Sequence, residues 1–566
     1  MRTFTRVSSL ALGISLALSS SCVLAKESNV RGNPSAQNVT EIILKACAAY
    51  IVANAGEEIH PAIMEFCTLA LSNNPFEQQD GHHPIMDDEP PHGEPPCSDD
   101  EASIEDGICS DDDVSEEDDT SEEEDTSEDD DTSEDDDTSE DDDTSEDEDT
   151  SDDDTSTATW SSGVCGYGTA LYLLESGTLS ESDGTYEASS TDESAICVSG
   201  SSTELTLNNA TINTTGDTSS TDNSSFYGLN AAVLNYDGGT ITIDGGTIDS
   251  SGTGANSVFA YGTGTINVSN MTMVATNDGG HAIFAAGGGT IIVNDVDATT
   301  SGPRSSVVGT DRGSGTIVVE GGSYTASGER SAGIYSTGVI TASDATFTAT
   351  NAEVVVVEGS NIVSLNDVTL NATSGLSEHR GIFLYQSMSG DADNSECGTG
   401  ACFTMTGGTY NYTDTSNSST DATENCAAFA VANQTAYIEL NDVEINNSCP
   451  TLLLSALNSN WNYNGGTTSL VASGQTLTGD VIVDDVSTAD ITLKSSDSGA
   501  SMLIGAINSD DTGASVTLTL DADSQWVVTG TSYLTSLTND DSTNSNITCE
   551  TSGCTVYVDG VEIDIQ

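Results

Sequence analysis

The feature that most constrains this chain is an eight-residue unit that recurs at nearly constant spacing through its second half. The unit reads apolar, any, apolar, polar, then Asn, Asp or Gly, then any residue, usually a polar one and usually an apolar one. Copies start at Leu205 (LTLNNATI), Ile241 (ITIDGGTI), Ile266 (INVSNMTM), Ile291 (IIVNDVDA) and Ile317 (IVVEGGSY). They continue at Ile340 (ITASDATF), Val363 (VSLNDVTL), Phe403 (FTMTGGTY) and Ile438 (IELNDVEI). From Ile241 to Val363 successive starts lie 25, 25, 26, 23 and 23 residues apart. A second short apolar run precedes a unit at Ser257–Ala260, Ala282–Ala285, Val354–Val357 and Gly381–Leu384. Alternation of period two, punctuated by Gly, Asn and Asp, describes strands and turns, with no helical pattern between them. One such coil cannot bury its inner face alone, so coils must stack, and the chain reads as an all-β solenoid. Longer steps, of 36 residues after Leu205, 40 after Val363 and 35 before Ile438, predict loops that leave the stack. Beyond Trp461, shorter apolar runs (Val481–Val483, Ile491–Leu493, Val516–Leu520, Trp526–Val528) carry the pattern to the C-terminus.

Three segments precede this body, which spans residues 157–566. Residues 1–25 read as a secretory signal: Arg2 and Arg6, an apolar stretch from Val7 to Leu18, and a small-residue cleavage site at Val23-Leu24-Ala25. A lipid-anchored Cys22 is the competing reading. Residues 26–97 carry helical spacing, with Ile42, Ile43, Ala46, Cys47, Tyr50 and Ile51 on one face and Ile63, Phe66, Cys67 and Ala70 on another. A small helical hairpin is expected there. Residues 98–156 hold 35 Asp and Glu and no Lys or Arg, with Thr-Ser-Glu-Asp-Asp-Asp recurring every six residues. Such a tract repels itself and predicts a disordered acidic spacer. No cofactor is required by this reading. Loose Ca²⁺ binding to the spacer carboxylates is the one ionic role the composition suggests.

Charge removes whole classes of partner. Ten Lys and Arg against 93 Asp and Glu give −83, and setting the spacer aside still leaves −48. With no basic surface to neutralise phosphates, nucleic acid is excluded, as is attraction to anionic lipid. No later apolar run reaches the ~20 residues of a transmembrane span. The cysteines point to export. Removing the signal takes Cys22 and leaves twelve, an even number, which in an exported chain suggests disulfides. Nearest-neighbour pairing gives Cys47–Cys67, Cys97–Cys109, Cys165–Cys197, Cys397–Cys402, Cys426–Cys449 and Cys549–Cys554, although spacing does not prove connectivity. A secreted or cell-surface location follows from signal and cysteines together. Asn-x-Ser/Thr acceptors occur at twelve positions, among them Asn209, Asn270, Asn371, Asn411 and Asn446. The stretch GHHPIMDDEPPHGE, with His82, His83 and His92, could capture Zn²⁺ or Cu²⁺, but its flexible Pro-rich sequence argues against a preformed site.

The body resembles right-handed parallel β-helix surface proteins, the pectate-lyase-like superfold used by adhesins and autotransporter passengers. The segments DGGHAIF (278–284), TDRGSGTI (310–317), SAGIYSTG (331–338), YQSMSGDA (385–392) and LTGDVIVDD (477–485) carry the likeness. It implies a right-handed parallel β-helix and says little about activity. Polysaccharide lyases of this fold use an Arg or Lys base with carboxylate-bound calcium, and related hydrolases use clustered Asp residues. Neither signature is present as a motif here.

Only five basic residues follow Trp160: Arg304, Arg312, Arg330, Arg380 and Lys494. Repeat spacing predicts that His281, Arg304, Arg330, Glu353 and Arg380 stack as one column at roughly 4.8 Å per coil. A second column would gather Asp311, Arg312, Tyr335, Glu358 and Tyr385. Three readings of these columns compete. They are an ion-pair ladder holding the stack together, a glycan groove of aromatic faces and hydrogen-bonding charges, or an acid/base pair at Asp311 and Glu358. The functional expectation is surface recognition or adhesion, of glycans or matrix components. A carbohydrate-active enzyme and a structural envelope protein are the alternatives. An outward column of Thr206, Thr242, Asn267, Ile292, Val318, Thr341, Ser364, Thr404 and Glu439 is too irregular for an ice-binding ladder.

Overall fold

The computed structural model describes residues 158–373, 380–387, 390, 392, 394–413, 426–457, 464–550 and 553–566. The signal segment, the expected helical hairpin, the acidic spacer, and Cys47, Cys67, Cys97 and Cys109 lie outside them.

Ile241, Ile266, Ile291 and Ile317 sit opposite one another on consecutive parallel strands, each with its side chain fully buried. The same register runs upward to Leu205 and downward through Ile340, Val363, Phe403 and Ile438. It then extends to Leu470, Ile491, Leu518 and Leu537. Every repeat start is therefore one rung of a single inward ladder, and the body is a parallel β-helix solenoid. Each fully buried aliphatic rung contributes about 1.5–3 kcal/mol by leaving water, which is why the unit tolerates almost any outward residue but only apolar inward ones.

Two walls enclose this core. One is a thirteen-stranded sheet that collects the short apolar runs, among them Val233–Tyr236, Val258–Tyr261, Ile283–Ala286, Val308–Thr310, Ile334–Ser336, Val355–Glu358 and Arg380–Tyr385. The other is the wall of repeat units, bent along a corner. At Glu204–Thr214, Thr240–Ser250 and Thr265–Ala275 one strand passes through the corner; in later coils it splits in two. The corner residue is the fifth of the unit. It adopts positive φ at Asn209 (53°), Asn270 (54°), Asp295 (48°), Asp344 (53°), Asp367 (52°) and Asp442 (54°), with glycines at 245, 321 and 407. Only Gly, and less readily Asn and Asp, occupy that conformation cheaply. The polar fifth position of the repeat is therefore a backbone requirement.

The long step after Leu205 is fully described and leaves the stack as a loop. It carries the single helix among the described residues, α1 (Thr221–Tyr227), capped by Ser220 accepting from the Asn223 amide and stopped by Gly228 at φ 71°. At the N-terminal end, an antiparallel hairpin (Ser161–Cys165 with Gly168–Leu174) joins the edge of the thirteen-stranded sheet. A second hairpin, Val556–Val558 with Val561–Ile563, closes the C-terminal end. Cys165–Cys197, Cys397–Cys402, Cys426–Cys449 and Cys549–Cys554 lie at disulfide distance, with Cα separations of 6.5, 5.9, 6.0 and 5.9 Å. Those four pairs fit an oxidising compartment. No helix among the described residues is long and apolar enough to cross a membrane.

Candidate functional site

The outer face of the thirteen-stranded sheet carries the predicted columns, and its register redraws the first of them. His281 aligns with Ser306, Ala332, Glu353 and Arg380, whereas Arg304 and Arg330 stand two residues earlier in their coils. The single column of His281, Arg304, Arg330, Glu353 and Arg380 is thus two. The reason is backbone conformation: Arg304 (φ 51°) and Arg330 (φ 56°) occupy left-handed turn positions ahead of the strand, and their side chains are exposed. Arg304 pairs with Asp278 of the preceding coil through both nitrogens of its fork, Nε at 3.0 Å. His281 turns the other way. It is only 6 % exposed, lies flat against Phe284 at 3.9 Å between ring centroids, and donates from Nδ1 to the Ser306 carbonyl at 3.1 Å. Burial pulls its pKa down to about 4, so it is a neutral packing residue.

Arg380 and Glu353 form a largely buried pair, Nη2 and Nε lying 3.0 and 3.1 Å from Oε1, with the guanidinium 4.0 Å above the Phe383 ring. Beside them the second column is redrawn as well. Asp311, Thr337, Glu358 and Tyr385 are in register, and Tyr335 lies two residues back on the same outward face. Glu358 is 5 % exposed, and its Oε2 accepts the hydroxyls of both Tyr335 and Tyr385, the latter at 2.7 Å. Burial, then the charge of Glu358, raises both phenol pKa values far above the usual range. The Tyr385 ring also stacks on Phe383 at 4.6 Å. Two bonded sets thus lie within the wall, Arg380 with Glu353, and Tyr335 and Tyr385 with Glu358. Glu358 is committed to two tyrosines, and Thr337 stands between it and Asp311 in the register.

The column does not end at Asp311. Followed toward the N-terminus, its register positions are Ala286, Tyr261 and Tyr236. Spacing alone could have found these two tyrosines, 25 residues apart. Their rings stack at 4.9 Å, and Tyr227 of α1 meets Tyr261 edge-on at 5.6 Å. Tyr167, from the turn of the N-terminal hairpin, stacks on Tyr227 at 4.2 Å and is 58 % exposed. Two glycines make room for the cluster. A Cβ at Gly166 would lie 2.7 Å from the Tyr236 ring, and one at Gly287 would lie 2.5 Å from the Tyr261 ring. Arg312 is exposed at the cluster's edge, with its guanidinium 4.2 Å above the Phe226 ring. Its own backbone N–H donates to Asp311 Oδ1 at 2.8 Å. Arg312 therefore belongs with Phe226, Tyr227, Tyr261, Tyr236 and Tyr167, not with the buried Tyr335–Glu358–Tyr385 group below it.

On the opposite wall, several glycosylation-type asparagines use their amides between coils. Asn446 donates to Asn411 at 2.9 Å, Asn411 to Asn371 at 2.9 Å and Asn371 to Thr348 at 3.3 Å. Asn209 and Asn270 each donate across 2.6 Å to an aspartate one coil earlier. Among the described residues no three His, Cys, Asp or Glu side chains converge as a metal-ligand set. No protein-family model, curated protein or solved structure matches the chain.

Proposed function

We propose that this protein is a secreted or surface-displayed recognition protein that binds glycans through the outer face of its thirteen-stranded sheet. The observation that carries this reading is the tyrosine cluster beside Arg312. Four phenol rings and a guanidinium meet on one face, Tyr167 is open to solvent, and the rings come from three separate parts of the chain. Flat aromatic faces take the C–H face of a sugar ring, while phenol hydroxyls and a guanidinium hydrogen-bond its hydroxyls.

The lower part of the column supports the assignment by contrast. Tyr335 and Tyr385 bond to Glu358, and Arg380 to Glu353, all within the wall, so recognition is assigned to the cluster above them. The test is a glycan-array screen of the full-length protein beside its Tyr167→Ala and Arg312→Ala variants. Loss of binding in both variants at unchanged melting temperature supports recognition at this face. Undiminished binding in both removes the cluster from the site.

A further inference from the structure

We infer that the tyrosine cluster, on the glycan-binding reading just given, selects glycans that carry protonated amino groups. The first observation is a carboxylate beside the rings. Asp237 follows Tyr236 directly, is exposed, and holds φ 58° at the start of its turn. Its backbone N–H donates to the Tyr261 carbonyl at 3.0 Å. The next coil presents Gly262 at the equivalent position, where a Cβ would stand 2.9 Å from Asp237 Oδ1. The carboxylate therefore lies across that glycine, toward Tyr261. After burial and the neighbouring phenols, Asp237 is among the causes that raise the pKa of Tyr236 and Tyr261, so both phenols sense its charge.

The second observation is that the cluster already holds a cation. The Arg312 guanidinium rests on Phe226, whose ring meets Tyr227 edge-on at 6.2 Å. Ring faces carry negative potential and attract a cation within about 6 Å of the centroid. The tyrosine rings offer the same kind of surface, with Tyr167 the most exposed of them and Tyr236 and Tyr261 beside the Asp237 carboxylate.

The third observation is the field of the whole body. Residues 157–566 carry five Lys and Arg against 47 Asp and Glu. Such a surface raises the local concentration of cations and repels polyanions. Uronate-rich and sulfated glycans are thereby disfavoured, and a neutral sugar would gain from Asp237 only hydrogen bonds to its hydroxyls, without the ion pair an ammonium makes. A sugar with a free amine uses all three features: its ring face meets a tyrosine, its ammonium meets Asp237 and the π faces, and its approach follows the field.

Three probes of equal length test this on the full-length protein: a glucosamine oligomer with free amines, its N-acetylated counterpart, and an oligogalacturonate, each titrated calorimetrically at low and at physiological salt. The free-amine oligomer is expected to bind at least about tenfold more tightly than the acetylated one, and added salt should erode that margin. Asp237→Asn should reduce the margin, and Tyr167→Ala should weaken both amine and acetyl ligands. Equal affinity for amine and acetyl forms, lost together in Tyr167→Ala, would overturn the amine selectivity and leave the glycan reading intact. Tightest binding of the oligogalacturonate would do the same. Binding of none of the three, or binding unchanged by Tyr167→Ala, would overturn the glycan reading of this cluster and the selectivity with it. Asp237 and Tyr167 are both exposed, so neither variant threatens the fold.

Discussion

The hydroxyl of Tyr385 donates to Glu358 Oε2 at 2.7 Å from one coil below, and Tyr335 donates to the same oxygen from one coil above. A carboxyl on the outward side of a strand is thereby sealed into the wall and ties three successive coils together. Tyr385→Phe removes one donor and leaves a buried acceptor short of a partner, which costs about 1–2 kcal/mol. The expected result is a lower urea midpoint at unchanged slope, with glycan affinity intact. If Tyr385→Phe abolished binding at wild-type stability, Glu358 and its tyrosines would have to be moved into the site.

Arg380 and Glu353 offer a sharper contrast between losing one partner and losing both. Their side chains are 18 % and 9 % exposed. Arg380→Met leaves Glu353 charged in a dry wall, for an expected loss of about 3–5 kcal/mol. The double variant Arg380→Met with Glu353→Leu should recover most of that loss, because replacing a buried pair by apolar groups is often close to neutral. A double-mutant cycle by chemical denaturation measures the difference. Equal destabilisation in the single and double variants would show that Arg380 acts by packing on Phe383 rather than by pairing.

His281 gives the wall a pH dependence whose sign follows from burial. Its folded pKa of about 4 lies below the unfolded value near 6.5, so the unfolded chain takes up the proton first as the solution is acidified. Its neutral form is fully stabilising above pH ~6.5. That contribution is lost progressively as pH falls toward 4 and levels off below it, for about 3 kcal/mol in all. His281→Asn keeps an N–H donor for the Ser306 carbonyl and removes the titration. Wild type should therefore lose more stability than the variant between pH 6.5 and 5. Parallel stability curves over that range would place the imidazole in water.

Much of this architecture was legible in the residues, and the limits have physical causes. The inward ladder from Leu205 to Ile438 could be read directly because burial demands an apolar side chain at every rung. The fifth position was visible as Asn, Asp or Gly, but sequence alone did not show that it marks a left-handed corner. The outward columns were harder. Turn residues and strand residues advance together only when turn lengths match, so His281 and Arg304 were aligned although they sit two residues out of phase. Of the tyrosine cluster, Tyr236 and Tyr261 follow the repeat and were within reach. Tyr227 and Phe226 lie on an inserted helix and Tyr167 on a terminal hairpin, and no periodicity encodes their return to the same face.

The corner supplies the most local test of the repeat itself. Asp344 is exposed, and its φ of 53° belongs to the left-handed region. At an ordinary surface position, changing Asp to Val would shift stability by no more than about 0.5 kcal/mol. Here the β-branched side chain must crowd its own carbonyl in a conformation that costs an L-residue roughly 1–2 kcal/mol, so Asp344→Val should destabilise by about that amount. Asp344→Gly should be neutral or slightly stabilising, because glycine occupies this conformation without penalty and already does so at the same corner in Gly321 (φ 70°) and Gly407 (φ 65°). Thermal melts of the two variants beside wild type separate the outcomes. Val above Gly in stability would mean that the corner is not held at positive φ in solution. The fifth position of the repeat would then need another explanation than backbone geometry.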